Sequence, residues 1–114
     1  MVSKSLSWQE FEQVEIRTGT IIEVQDFPEA RKPAYQLLID FGNDIGVRKS
    51  SAQLTKRYNR QDLVGKQIIA VVNFPTKQIG KFLSECLVLG SVGNENDIVL
   101  LTPDKNVENG LRIG

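Results

Sequence analysis

From Asn73 to Leu87 the chain sets a polar amide, two lysines and a hydroxyl among apolar residues, in the order Asn73-Phe74-Pro75-Thr76-Lys77-Gln78-Ile79-Gly80-Lys81-Phe82-Leu83-Ser84-Glu85-Cys86-Leu87. Lysines offer point charges to anionic groups, and the amide and hydroxyl offer directional hydrogen bonds. No nucleophile stands beside a base, so the chemistry available is that of a binding surface and not of a catalytic centre. The residues that would carry it are Asn73, Lys77, Lys81 and Ser84, with Phe82 as an apolar contact.

Composition narrows the function classes. The chain contains no histidine, which removes the commonest general base and metal ligand and argues against hydrolase, metalloenzyme and proton-relay readings. We therefore read the chain as non-enzymatic, with no cofactor and no metal. Its single cysteine, Cys86, lies in an apolar run and reads as a small core residue in a reducing compartment. The 14 basic residues equal the 14 acidic ones, but they are unevenly spread. Residues 46–85 hold eight basic groups against two acidic, while acidic groups outnumber basic ones on both sides. The N-terminal residues Met-Val-Ser-Lys-Ser-Leu-Ser lack the apolar core of a signal peptide, and no apolar run reaches membrane-spanning length. The expectation is a cytoplasmic protein with no membrane insertion.

Strands must position these groups. Ile68, Ala70, Val72 and Phe74 alternate with Ile69, Val71 and Asn73, so both faces are largely apolar, as in a central strand. A second run, Ser84 to Leu89, follows the basic loop. Upstream, Ser7 and Glu10 have capping-box spacing and Leu6 and Phe11 the spacing of a hydrophobic staple, predicting a helix from about Trp8 to Val14. Ile16, Thr18, Thr20, Ile22 and Val24 then alternate with Arg17, Gly19, Ile21, Glu23 and Gln25 as a first strand, in which Gly19 permits a bulge or bend. A loop between Pro28 and Pro33 carries Arg31 and Lys32 at its tip. Tyr35, Leu37, Ile39 and Phe41 mark a second strand, and Gly42-Asn43-Asp44 turns it into a partner over residues 45–50 that includes Lys49. Ser50 or Ser51 can cap a brief helix through Leu54 to Tyr58. Gly93 to Asp97 reads as an exposed turn before a last strand over residues 98–101.

The tail from Pro103 to Gly114 keeps Val107, Leu111 and Ile113, too apolar a set for a solvated terminus. Both ends, about residues 1–15 and 103–114, are expected to pack at or beside a two-fold interface through Trp8, Phe11, Leu111 and Ile113. No repeat or linker divides the chain, so residues 1–114 read as one domain. Five to six short strands, a small helix between the third and fourth and no βαβ alternation predict an all-β, five-stranded Greek-key OB-fold barrel with short terminal extensions. An SH3-like barrel is the alternative. The helix after the third strand favours the OB fold.

Six segments also carry a specific likeness: Ile16 to Ile21, Phe27 to Ala34, Asp40 to Gly42, Ser50 to Gln53, Val71 to Pro75 and Ser84 to Gly90. In order and spacing they resemble the CsaA family of export-related chaperones, and more remotely the tRNA-binding domains appended to bacterial methionyl- and phenylalanyl-tRNA synthetases. The resemblance implies an OB fold, a homodimer, the holding of unfolded or export-bound polypeptides in connection with the Sec export machinery, and binding of tRNA. It implies a binding surface of Arg31, Lys32, Lys49, Asn73, Lys77, Lys81, Ser84 and Leu87. Where a pair of arginines is expected after Pro75, this chain has Thr76-Lys77-Gln78, which thins the positive charge. Polypeptide holding needs exposed apolar surface, for which Phe27, Phe74, Ile79, Phe82 and Leu83 are candidates. RNA binding needs cations and planar groups, and Tyr58 is the only aromatic residue between Gly46 and Val72.

Overall fold

The computed structural model describes residues 4–114. The chain runs through α1 (Trp8–Glu12), β1 (Ile16–Asp26), β2 (Tyr35–Asp40), β3 (Val47–Ala52), α2 (Arg60–Leu63), β4 (Gln67–Val71), β5 (Lys77–Ile79), β6 (Phe82–Ser84), β7 (Leu87–Val88), β8 (Gly90–Val92) and β9 (Ile98–Leu100). Five antiparallel strands form one sheet in the order β3-β2-β1-β4-β7, and the pairs β5–β6 and β8–β9 stand apart as hairpins. β1 is shared between two neighbours. Its first half pairs with β4, from Ile16 opposite Val71 to Thr20 opposite Gln67, and its second half with β2, from Thr20 opposite Asp40 to Asp26 opposite Tyr35. A strand that changes partners midway curls its sheet, and β3 comes back beside β7, leaving a nearly closed all-β, OB-like barrel as expected.

A bulge adds to the curvature. The register between β1 and β2 shifts between Ile21 and Glu23, so Ile22 is the extra residue of a bulge. Strict alternation therefore fails there: Ile21 is fully buried and Ile22 is 45% exposed. Gly19, where the sequence allowed a bulge, does something else. A Cβ at that position would lie 2.7 Å from the Phe41 ring and 2.8 Å from Ile39, so glycine is what lets those core side chains lie against β1.

The helix expected between the third and fourth strands is present but displaced. Ser50 and Ser51 belong to β3, and residues 54–58 make only a turn, with the Tyr58 N–H donating to the Leu54 carbonyl at 3.2 Å. The helix is α2, preceded by Asn59, whose N–H donates to the Asp62 carboxylate at 2.9 Å. Leu63 on α2 is fully buried and plugs the barrel. Around it pack Ile21, Tyr35, Leu37, Ile39, Phe41, Leu54, Ile68, Ala70, Cys86 and Leu100. Phe27, a candidate for exposed apolar surface, is buried at 5% exposure against Phe82, their ring centroids 5.3 Å apart.

At the N-terminus the capping box forms as predicted: the Glu10 N–H donates to the Ser7 hydroxyl and the Ser7 N–H to the Glu10 carboxylate. α1 stops at Glu12, short of Val14, and buries none of its residues. Residues 1–3 of the expected N-terminal extension lie outside the described residues. The C-terminal tail lies along β1 on the side away from β4. There the Thr18 N–H donates to the Leu111 carbonyl, the Gly110 N–H to the Thr18 carbonyl and the Ile113 N–H to the Ile16 carbonyl. Thr18, buried at 2% exposure, also donates its hydroxyl to the Glu108 carbonyl and accepts from the Leu111 N–H. Among the described residues no helix is long and apolar enough to cross a membrane.

One carboxylate joins both ends to the barrel. Glu15 accepts from Arg17 at 2.6 Å and from Arg112 at 2.7 Å, and these hydrogen bonds, Arg17 first, hold its carboxyl below the usual range. A carboxyl with a lowered folded pKa contributes stability above its unfolded value, near 4.5, and loses that contribution as pH falls through the folded value. Protection of the amides of residues 110–113 against exchange should therefore fall on acidification below about pH 4.5, and Glu15→Gln should make it low and nearly independent of pH in that window. Equal protection in wild type and variant across the window would contradict this role.

Candidate ligand-binding groove

The outer edge of β3 decides the geometry. An edge strand presents bare N–H and C=O groups, which need partners. Here side chains and one loop amide provide them: the Lys49 N–H donates to the Glu85 carboxylate at 2.9 Å, the Glu85 N–H donates back to the Lys49 carbonyl at 2.7 Å, and the Ser51 N–H donates to the Ser84 hydroxyl at 3.1 Å. One step inward, the buried Ser50 hydroxyl donates to the Cys86 carbonyl at 3.0 Å. β3 is thus fastened to the chain between β6 and β7 without a ladder. Beyond Ser51 the fastening ends and the barrel wall opens.

The opening is a groove of about 500 Å³. It is lined by Ser51, Ala52, Gln53 and Leu54, by Phe74 and Pro75 with Lys77, Ile79 and Ser84 of the β5–β6 hairpin, and by Cys86, Leu87, Val88 and Ile98. The lining is mostly apolar. Phe74 is 56% and Leu87 46% exposed, which places two large apolar side chains within reach of a ligand. Lys77 stands opposite Ser84 in the β5–β6 register, and the Ser84 hydroxyl, having accepted from Ser51, keeps its own proton to donate. Among the described residues no carboxylate lines the groove.

The predicted site residues separate into three groups. Lys77, Ser84 and Leu87 share the groove. Lys49 lies with its ammonium 5.5 Å from the centroid of the Phe82 ring, and Lys81 shares a smaller depression with Phe82, Phe27 and Glu29. Half-buried Phe82 is therefore packed against Phe27 with the Lys49 ammonium over its ring, beside the groove and not in its lining. Arg31 and Lys32 are exposed on their loop. Asn73 has a structural role. Its side-chain oxygen accepts from the Glu15 N–H at 3.0 Å and its NH₂ donates to the Gln13 carbonyl at 2.7 Å, tying the end of α1 to the end of β4.

The charge excess of residues 46–85 is reduced on folding. Arg57 pairs with Asp97, and Arg60 lies 3.8 Å from Asp26, so two of its cations are matched by carboxylates from outside the segment. Arg48 is turned to the Val72 carbonyl at 3.1 Å. Tyr58 belongs to the interior, its hydroxyl accepting from the Leu100 N–H. The planar group next to the groove is instead Phe74. Cys86 lines the groove but is buried, and burial pushes its thiol up to about 12, so it stays protonated and unreactive at neutral pH. Among the described residues no cluster of three or more His, Cys, Asp or Glu could hold a metal ion.

Phe74 and Ile79, candidates for exposed apolar surface, line the groove, and so do Ser51 to Leu54, which the sequence pattern assigned to a helix and its cap. The signal was the Ser50 to Gln53 segment of the family likeness, whose backbone edge has no counterpart in a hydrophobicity pattern.

Comparisons with known proteins fit this geometry. Residues 16–112 match the family described as "Putative tRNA binding domain". The chain is 48% identical to the chaperone CsaA of Bacillus anthracis, superposing with a TM-score of 0.92 over 97% of this chain and 100% of that one. It is 49% identical to the CsaA chaperone protein of Picrophilus torridus, with a TM-score of 0.89 over 96% and 100% of the two chains. It is also 34% identical over 108 residues to the methionine–tRNA ligase of Thermococcus onnurineus, a match that takes in 95% of this chain but 14% of the ligase. The matched family is a binding domain and not a catalytic one. With its barrel, its groove and a match extending from the first strand to the tail, the chain belongs to the tRNA-binding-domain family, as a CsaA-like member.

Proposed function

We propose that this protein is a chaperone that holds unfolded polypeptide in the groove between β3 and the β5–β6 hairpin, acting as a homodimer. The observation that carries the reading is the groove's apolar lining with Phe74 and Leu87 exposed at it. Exposed aromatic and aliphatic side chains in a concavity gain by being covered by a client's side chains, at roughly 25 cal/mol per Å² of apolar surface removed from water. The full-length likeness to two proteins described as CsaA chaperones supports the same reading.

A second reading, tRNA binding on the same face, is favoured by the family match and by Lys77 beside an exposed aromatic ring. Stacking on Phe74 and phosphate contacts from Lys77, Lys81, Lys49, Arg31 and Lys32 would be the means. Three to five such contacts correspond to a slope of about −2 to −4 in log affinity against log salt.

One preparation tests both readings. Phe74→Ser should weaken suppression of client aggregation several-fold while lowering stability by no more than about 0.5 kcal/mol, because the ring is largely exposed. Phe82→Ser should instead destabilise the fold, since that ring packs on Phe27. Changing Lys77 and Lys81 to Ala should reduce the salt slope of tRNA binding by about 1 to 2. If client holding survives Phe74→Ser and Leu87→Ser together, the groove is not the client site; if tRNA binding ignores the two lysines, the second reading fails.

The dimer reading rests on the two ends of the chain. Trp8 is 83% exposed and, with Leu6, Phe11 and Gly114, forms an apolar depression beside the tail. Because the tail hydrogen-bonds to β1, deleting it would damage the barrel as well as any interface. Trp8→Ser is the cleaner change. Sedimentation should show a wild-type dimer at tens of micromolar and a shift toward monomer in the variant; a monomeric wild type would refute the proposal.

A further inference from the structure

We propose that the groove takes its polypeptide as an added strand, an extended segment hydrogen-bonded to the edge of β3 beyond Ser51. This rests on the polypeptide-holding reading above and specifies the form of its client. Side chains cap the edge of β3 as far as the Ser51 N–H and then stop. The Ser51 carbonyl receives only a 3.4 Å approach from the Ser50 hydroxyl, which is committed more closely to Cys86 at 3.0 Å. Gln53 is exposed, and neither its N–H nor its C=O has a hydrogen-bond partner among the described residues. By the two-residue period of an extended chain, Ser51 and Gln53 present these groups along the same edge, and both line the groove.

A segment laid along this edge gains about two or three main-chain hydrogen bonds and turns alternate side chains toward Leu54, Phe74, Ile79 and Leu87. The requirement on its sequence is thus alternation and not identity, which suits a protein that meets many unfolded chains. Charge adds one further requirement. Among the described residues Lys77 has no ion-pair partner and no carboxylate shares the groove, so a segment with an acidic side chain near its apolar ones fits best. RNA offers no ladder of N–H and C=O groups for this edge.

The test uses the full chain and a peptide of about ten residues in which Leu alternates with Ser and one Glu is included, together with two versions N-methylated at alternate amides in opposite phase. Methylation removes the donors of one peptide edge, so one phase should lose at least about tenfold in affinity and the other far less. Amide exchange at Gln53 should slow on binding of the parent peptide. Replacing the peptide Glu by Gln should weaken binding about threefold in wild type and not in Lys77→Ala. Equal affinities in the two phases, with Gln53 exchange unchanged, would overturn the strand mode while leaving polypeptide holding intact. Failure of the parent peptide to bind, in a preparation that still binds tRNA, would overturn polypeptide holding and this proposal together.

Discussion

The capping of β3's outer edge by Ser84 and Glu85 is the constraint on which the rest of the molecule depends. Buried or half-buried backbone groups need partners, and a barrel that lacks a full ladder between its third and last strands must find them elsewhere. A hydroxyl, a carboxylate and a single loop amide meet that need over Lys49 and Ser51 and stop there. They also fix the β5–β6 hairpin over β3, which brings Lys49 against the Phe82 ring and Ser84 opposite Ser51. The groove is what this partial closure leaves. Its floor is core, which explains why Cys86 lines it yet remains buried and protonated.

Polypeptide and RNA make different demands on such a surface, and the groove meets them to different degrees. Apolar side chains form most of the lining, and they gain most from covering by another apolar chain. The cations are dispersed: Lys77 in the groove, Lys49 and Lys81 around Phe82, Arg31 and Lys32 on a separate loop. A dispersed set tracks an extended polyanion better than it binds a compact one, and its contribution falls steeply with salt. Folding also matches Arg57 and Arg60 with carboxylates, so the excess read along the chain overstates the field at the surface.

Elements whose pattern reports burial were legible in the sequence. The alternation from Tyr35 to Phe41 gave β2 and four core residues, the capping box gave α1, and the apolar run from Ile68 gave the central strand. What misled was local chemistry with two uses. Ser50 and Ser51 have the chemistry of helix caps, yet the Ser50 hydroxyl donates to the Cys86 carbonyl and the Ser51 backbone N–H to the Ser84 hydroxyl, fastening a strand edge across about 35 residues of sequence. Glycine at position 19 suggested a bulge, whereas it clears space for Phe41 and the bulge falls at Ile22. Asn73 read as a polar group for a ligand, and its amide is found tying α1 to β4. Of the groove's lining, Lys77 and Ser84 were legible because their segment is polar where a strand should be apolar, and Leu87 through the family likeness. The edge beyond Ser51 was not, because backbone groups are the same in every residue and leave no trace in composition.

On this reading one groove, bounded by the open edge of β3 and the β5–β6 hairpin, is where the protein meets its ligand. Backbone amide chemical shifts followed during titration with a permanently unfolded client test it most directly. Perturbations are expected to cluster at residues 51–54, 74–79 and 84–88 and at Ile98, and to spare residues 90–97 and the loop after β1. Perturbations confined to that loop or to residues 90–97, with residues 51–54 silent at saturation, would contradict it.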